Sequence, residues 1–169
     1  QEFVGTYKSE KFDALIGAMY FHEKLFGSVR VPLTNLGVLF GLPANAFDGF
    51  NYLQAGTVTI NAVGVYAQGS YALTDKLKLT AGGRFSHEKR KGVGTFDFLG
   101  SVNTDKAKSW NAFTPTVSLN YQASDETLLY ASVTRGFKSG VINVGSRNAV
   151  INPEYVWSYE LGLKTATAD

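Results

Sequence analysis

Apolar and polar side chains alternate with a period of two along much of the chain, in segments longer than the five or six residues usual in soluble strands. The alternation is clearest over residues 77–86, where the odd positions are apolar or small and the even positions are mostly polar. It recurs at 63–71, 113–122 and 157–164. In each segment one face of the predicted strand is apolar and the other is polar.

This periodicity and the turn-forming residues between the segments predict one domain over residues 1–169, built from six or seven strands. Segment 13–22 is apolar on both faces, so its register stays open. The predicted strands are approximately 1–6, 13–22, 61–72, 77–88, 110–122, 127–137 and 155–166.

The connections between these strands alternate strictly between short and long. Leu73–Lys76 and Ala123–Glu126 are short and turn-forming, and a third short turn is expected near Tyr7–Lys11. All the long connections therefore fall on one side of the sheet. Tight turns on one side and long loops on the other are typical of outer-membrane barrels, whose long loops are extracellular. The predicted extracellular loops are approximately 23–60, 89–109 and 138–154.

A soluble β-sandwich also alternates apolar and polar side chains, so the alternation alone is not diagnostic. Strands of ten to twelve residues match a tilted membrane crossing. Aromatic side chains also lie at both ends of the apolar face, as in the belts of membrane proteins: Tyr71 and Tyr121 near the short turns, and Phe113, Trp157 and Tyr159 near the long loops. We therefore predict an all-β fold, an antiparallel transmembrane β-barrel segment in the outer membrane of a Gram-negative bacterium, in contact with its lipid.

Arg135 is the exception on the apolar face of segment 127–137. It indicates either a position at the membrane interface or a bulge that reverses the two faces of the strand.

The composition excludes several classes of protein. Charged residues make up 18% and aromatic residues 14%, and the net charge is only +2 without a basic stripe, which argues against a nucleic-acid partner. No segment approaches the roughly 20 apolar residues of a membrane-spanning helix. The absence of cysteine excludes disulfides and cysteine-based zinc sites.

The polar motifs give little support to catalysis or metal binding. His22-Glu23 and His87-Glu88 are repeated pairs, but a metal site needs ligands that converge from separate strands, so polar rim residues are the simpler interpretation. Ser86 and His87 are adjacent in a strand and point to opposite faces, which does not make a nucleophile and base. We expect neither an enzyme nor a bound metal or cofactor.

Ligand contacts are expected in the long loops. Segment 24–59 is too apolar for a solvated tether, and we expect it to fold back over the barrel mouth, whether to contact a ligand or only to pack against neighbouring loops. Lys106 and Lys108 add to a second, basic loop, which could steer an anionic ligand, contact lipopolysaccharide phosphates or simply be solvated. The candidate ligand-contacting residues are Phe40, Phe47, Tyr52, Arg90 and Lys91.

An ordered set of short motifs resembles the barrel of TonB-dependent outer-membrane receptors. Each motif is weak alone, but the order is specific. The motifs are Gln1–Phe3, Gly17–Glu23 (GAMYFHE), Tyr66–Gln68, Leu79–Phe85 (LTAGGRF), Trp110 with Phe113–Pro115, Leu129–Ser132, Gly136–Gly140 (GFKSG), Asn152–Glu154 and Tyr159–Lys164 (YELGLK).

The resemblance implies a barrel of twenty-two strands around an N-terminal plug that carries the energy-coupling box. Six or seven strands are fewer than the eight of the smallest single-chain barrels, so we expect part of a larger barrel. Its further partners would be the plug and the TonB complex, reached through the missing part of the chain. The implied function is TonB-energised uptake of a scarce nutrient, foremost a ferric siderophore. Uptake of a complex sugar, a passive channel and a soluble β-sandwich binding module remain alternatives.

Overall fold

The computed structural model describes residues 1–98 and 100–166, and most of them lie in antiparallel strands. Two 3-10 helices, Leu36–Phe40 and Ala44–Phe47, stand between the second and third strands. No helix in the described part of the chain is long and apolar enough to cross a membrane. The strands are β1 (Glu2–Lys8), β2 (Phe12–Pro32), β3 (Asn51–Ala72), β4 (Leu77–Asp97), β5 (Ser101–Ser124), β6 (Thr127–Lys138), β7 (Val141–Ile142), β8 (Val150–Ile151) and β9 (Glu154–Thr165).

Seven strands form one sheet in the order β1-β2-β3-β4-β5-β6-β9, and β7 pairs only with β8. Within this seven-stranded sheet each strand pairs with the next one along the chain, and β6 pairs with β9 after the β7–β8 hairpin. Within the described residues, β1 and β9 pair on one side only, so the sheet does not close on itself.

The predicted two-faced strands are confirmed. Leu79, Leu119 and Ala131 are direct cross-strand partners, and Val65 pairs with Phe85, which pairs with Phe113. The apolar positions of neighbouring strands thus share one face, which we call the outer face. The opposite, inner face carries the polar partners Thr80, Ser118 and Ser132 at the level of Leu79.

The strands are much longer than predicted at the end away from the short turns. Strands β2 to β5 have 21, 22, 21 and 24 residues, about twice the number that crosses a bilayer. The predicted loop 89–109 is therefore wrong: most of it continues β4, which ends at Asp97, and β5, which begins at Ser101. The predicted loop 23–60 is likewise wrong at both ends, since only 33–50 lies outside β2 and β3.

The physical reason is that backbone pairing continues where the apolar face ends. Beyond the apolar rows the outer face no longer has to be apolar, so polar residues such as those of 89–92 are compatible with a strand although they break the alternation. The short turns are as predicted: Thr74 accepts hydrogen bonds from the backbone N–H groups of Lys76 and Leu77 at 3.2 and 3.0 Å.

Arg135 lies on the outer face, because β6 pairs with β9 in unbroken register from Thr127 to Lys138. The register shift between β5 and β6 lies at Gln122 and Ser124, beside the short turn and away from Arg135. Its guanidinium stacks on the rings of Tyr155 and Trp157, at 4.4 and 5.9 Å from their centres. It also donates to the carbonyl of Phe113 at 3.3 Å. The structure therefore agrees with a position of Arg135 at the edge of the apolar face, and not with a bulge that reverses the two faces of the strand.

Candidate functional site

The segment between β6 and β9 folds back onto the inner face of β3, β4 and β5 instead of extending into solvent. Its short β7–β8 hairpin packs on Gly56, Gly92 and Gly94, where an added methyl group would overlap Ile142 or Val144. Glycine in a strand commonly marks such a close approach. We call residues 139–153 the inner segment.

Polar contacts fix the inner segment to the wall of the sheet. Gly145, whose φ of 83° suits glycine, donates its N–H to the hydroxyl of Thr104 at 2.9 Å. The side-chain amide of Gln54 donates to the carbonyl of Val144 at 2.9 Å. Thr104 is only 3% exposed and Ile142 5%, so this contact contains much of the described buried core.

Trp110 lies under the inner segment, with its ring against Gly140 and only 7% of its surface exposed. It pairs across the sheet with Glu88 on the inner face. Sequence reasoning treated 138–154 as an extracellular loop and missed this packing. The signal that could have revealed it is the run of glycines on the polar face of β3 and β4.

A groove of about 490 Å³ runs between the inner segment and the inner face of β2 and β3. Most of its walls are aliphatic, from side chains such as Leu25, Val58 and Ile60. Arg90 is the cation at its edge, and it forms an ion pair with Glu88 in which both side chains are largely buried. An apolar groove with one fixed, partly compensated charge can hold a large apolar or planar solute.

The candidate ligand-contacting residues predicted from the sequence do not form one cluster. Tyr52 packs its ring on Phe96 at 5.3 Å, on the inner side of the sheet near the beginning of β3. Phe40 and Phe47 pack on each other at 5.6 Å and join the two 3-10 helices. Arg90 lies at the groove, apart from both pairs.

The strand pleat separates Lys91 from Arg90. Arg90 pairs with Ile60 and Lys108 on the inner face, and Lys91 pairs with Thr59 and Ala107 on the outer face. The basic stretch predicted as one surface is therefore two, with Arg90, Lys106 and Lys108 inside and Lys89 and Lys91 outside.

The same pleat separates each His-Glu pair. His22 and His87 lie on the outer face, 2.7 Å from the side-chain oxygens of Asn61 and Asn111, their cross-strand partners. Glu23 lies on the inner face, as Glu88 does. Among residues 1–98 and 100–166, no three His, Cys, Asp or Glu side chains come together as a metal site.

Loop 33–50 is folded on itself. Asp48 accepts a hydrogen bond from the backbone N–H of Asn35 at 3.1 Å, and Leu33 donates to the carbonyl of Phe50 at 3.0 Å. Leu39 and Phe40 remain 76% and 69% exposed at its tip. These exposed apolar side chains are available to contact another molecule or another part of the protein.

Comparison with known proteins agrees with this architecture. The profile of the family "TonB dependent receptor-like, beta-barrel" matches residues 5–169. The pesticin receptor of Yersinia pestis is 28% identical over 124 residues, which is 70% of this chain and 18% of that protein.

Two solved structures share the fold. The ferric yersiniabactin uptake receptor FyuA from Yersinia pestis has a TM-score of 0.78 at 20% identity, over 99% of this chain and 26% of that one. The siderophore receptor PiuA from Acinetobacter baumannii has a TM-score of 0.67 at 16% identity, over 99% of this chain and 29% of that one. The chain spans less than a third of each relative. These relatives are receptors, not enzymes, and the chain belongs to the β-barrel of the TonB-dependent receptors of the Gram-negative outer membrane.

Proposed function

We propose that this chain is part of the wall of a receptor that imports a ferric siderophore with energy supplied through TonB. The observation that carries the proposal is the inner segment, which builds an apolar groove on the inner face of a barrel of the receptor family. Relatives that share the fold are named as siderophore uptake receptors, which supports the same ligand class. The plug and the TonB complex would act through parts of the receptor outside these residues.

The inward cations suit the ligand class. Ferric siderophores are large chelates, and many carry negative charge. Arg90, Lys106 and Lys108 lie on the inner face of β4 and β5. On these two strands the three cations outnumber Glu88, the acid that shares their face. An excess of one charge in a cleft raises the local concentration of an oppositely charged solute. Tyr52 and the groove would supply apolar contact, and these residues form the inner part of the proposed site.

Loop 33–50 forms the second part of the proposed site, at the ends of β2 and β3 that lie away from the short turns. Phe47 holds Phe40 in place, and the exposed Leu39 and Phe40 offer apolar surface to a ligand that enters the barrel. Contact with neighbouring loops of the complete barrel would also bury these side chains. A binding measurement separates the two roles.

The experiment replaces loop 33–50 by a two-residue Asn-Gly turn in the full-length receptor. Pro32 and Asn51 are direct register partners, so a tight hairpin turn can join them without shifting β2 against β3. A matched variant, Leu39→Ser with Phe40→Ser, keeps the loop and removes only the exposed apolar surface. Ferric yersiniabactin, named for one relative, is the first probe, and other ferric siderophores follow.

If the loop binds ligand, both variants should lose at least about tenfold in affinity, while heat-modifiable gel mobility shows an assembled barrel. Unchanged affinity in both assembled variants would limit the loop to packing. Failure of the unaltered receptor to bind any ferric siderophore would refute the ligand class itself.

A further inference from the structure

The groove beside the inner segment has almost no net charge of its own. Arg90 is the one charged side chain among the described residues that line it. The guanidinium of Arg90 donates through its Nε to the carboxylate of Glu88, which does not line the groove. Glu88 therefore lies behind Arg90 and offsets its charge, while the terminal N–H groups of Arg90 can still donate to an acceptor in the groove.

The ion pair of Arg90 and Glu88 is shielded from water. Only 20% of the Arg90 side chain and 16% of the Glu88 side chain are exposed. Glu88 pairs across the sheet with Ala62 on one side and with the buried Trp110 on the other. Such surroundings screen a charge weakly, so Glu88 acts strongly on any charge that is bound at Arg90.

The charges around the ion pair nearly balance. The cross-strand row of Arg90 and the inner rows on either side of it carry three cations, Arg90, Lys106 and Lys108, against two carboxylates, Glu23 and Glu88. Lys106 and Lys108 are exposed, Glu23 is half-buried, and none of the three lines the groove. This small positive excess suits a solute with about one negative charge. A multiply charged solute would leave most of its charge uncompensated in an apolar groove, which is costly.

We infer that Glu88 is a specificity-determining residue, which restricts the groove to ferric chelates of low net charge. This inference rests on the proposed import of a ferric siderophore and narrows its ligand. The groove volume of about 490 Å³ lies within the range of small-molecule sites. Its aliphatic walls would contact the apolar or aromatic parts of the chelate, and Arg90 would hold one of its oxygen atoms. Glu88 would repel a multiply negative chelate from the same position.

Two ferric chelates of nearly the same shape but different charge test this inference. Both are built on one tripodal scaffold, with three catecholate rings in one and three hydroxypyridinonate rings in the other. Each catechol ring loses two protons when it binds Fe³⁺, and each hydroxypyridinone ring loses one. The first ferric complex is therefore triply negative and the second is uncharged. Because the shape is shared, the ratio of the two affinities reports selection by charge.

Three variants of the full-length receptor are compared with the unaltered protein. Glu88→Gln removes the charge but keeps the size of the side chain and an oxygen that can accept from Arg90. Glu23→Gln is the matched control, because it removes the same charge from the same face and row, two strands or about 10 Å from Arg90. The double variant E88Q/R90Q removes both charges of the ion pair. Heat-modifiable gel mobility verifies that each variant assembles.

Affinities are measured by isothermal titration calorimetry on the detergent-purified receptor at physiological salt. The unaltered receptor should bind the uncharged chelate more tightly than the triply negative one. Glu88→Gln should shift the affinity ratio toward the triply negative chelate by at least about tenfold, because a weakly screened repulsion is removed. Glu23→Gln should shift the ratio by less than about threefold, since the distance exceeds the Debye length of about 8 Å. The double variant should return the ratio to within about threefold of the unaltered receptor, because the summed charge of the pair is again zero.

Equal shifts in Glu88→Gln and Glu23→Gln would overturn the inference, because only the net charge of the inner face would then matter. A preference of the unaltered receptor for the triply negative chelate, or binding of neither chelate, would overturn it as well. These results would leave the import proposal intact if the unaltered receptor binds another ferric siderophore. The import proposal fails separately if the receptor binds none.

Discussion

An arginine series along β5 tests which face of the sheet meets lipid and at what depth. On β4 the apolar rows run from Leu77 to Phe85, eight residue steps, which is about 26 Å along the strand and about 20 Å in height at a tilt of about 40°. That height is close to the apolar band of about 25 Å in outer-membrane barrels. Val117 pairs with Ala81 in the middle of these rows and is therefore the residue nearest the bilayer midplane.

Val117→Arg should cost about 2–4 kcal/mol of folding free energy, because the charge faces hydrocarbon at the midplane. Leu119→Arg lies one row nearer the short turns and should cost less. Asn111→Arg lies beyond the last apolar row and should cost about 0–1 kcal/mol. The inner-face control Ser118→Arg should also cost less than about 1 kcal/mol, because its neighbours are polar.

The assay is urea unfolding of the full-length receptor inserted in lipid vesicles, with the folded fraction read from heat-modifiable gel mobility. Equal costs for Val117→Arg and Ser118→Arg would refute the assignment of faces. A cost that peaks at Asn111 instead of Val117 would leave the faces intact but place the membrane at the wrong height.

Two further substitutions test the contacts of the inner segment and those of Arg135. Gly92→Val should displace the inner segment, because the added methyl groups overlap Ile142. Amide hydrogen exchange over 139–153 should then become faster, and an unchanged exchange rate would contradict the packing. Arg135→Ala should cost about 1–3 kcal/mol through loss of stacking on Tyr155 and of the hydrogen bond to Phe113, and Arg135→Lys should cost less, by the same urea assay. A neutral Arg135→Ala would mean that these contacts do not stabilise the barrel.

The faces of the strands could be predicted from sequence because lipid imposes a strict rule on every second residue. Leu79, Leu119 and Leu161 all had to be apolar, and the register brings them to one level of the sheet. The short turns were equally readable, since Thr74 and Asp75 have the chemistry of a tight turn. This rule applies only within the apolar rows. Beyond them the predicted strand bounds were wrong, because the strands continue.

The features beyond the membrane could not be read in the same way. Lys89, Arg90 and Lys91 appeared as one basic patch, and only a strand in this region divides them between two faces. The inner segment depends on contacts between residues about thirty to ninety positions apart, such as Gly140 with Trp110 and Gln54 with Val144. Neither periodicity nor composition predicts such contacts, although the glycines at 56, 92 and 94 indicate a close approach to these strands.

The central claim is that this chain forms part of a receptor for energised import, and uptake of radioactive iron tests it most directly. Cells that produce the full-length receptor are supplied with ⁵⁵Fe-labelled ferric yersiniabactin, and with other ferric siderophores in parallel, in strains with and without TonB. Iron should accumulate in the strain with TonB, and cells without TonB should bind the chelate at the surface but not import it. Equal import in the two strains would contradict the account and indicate a passive channel.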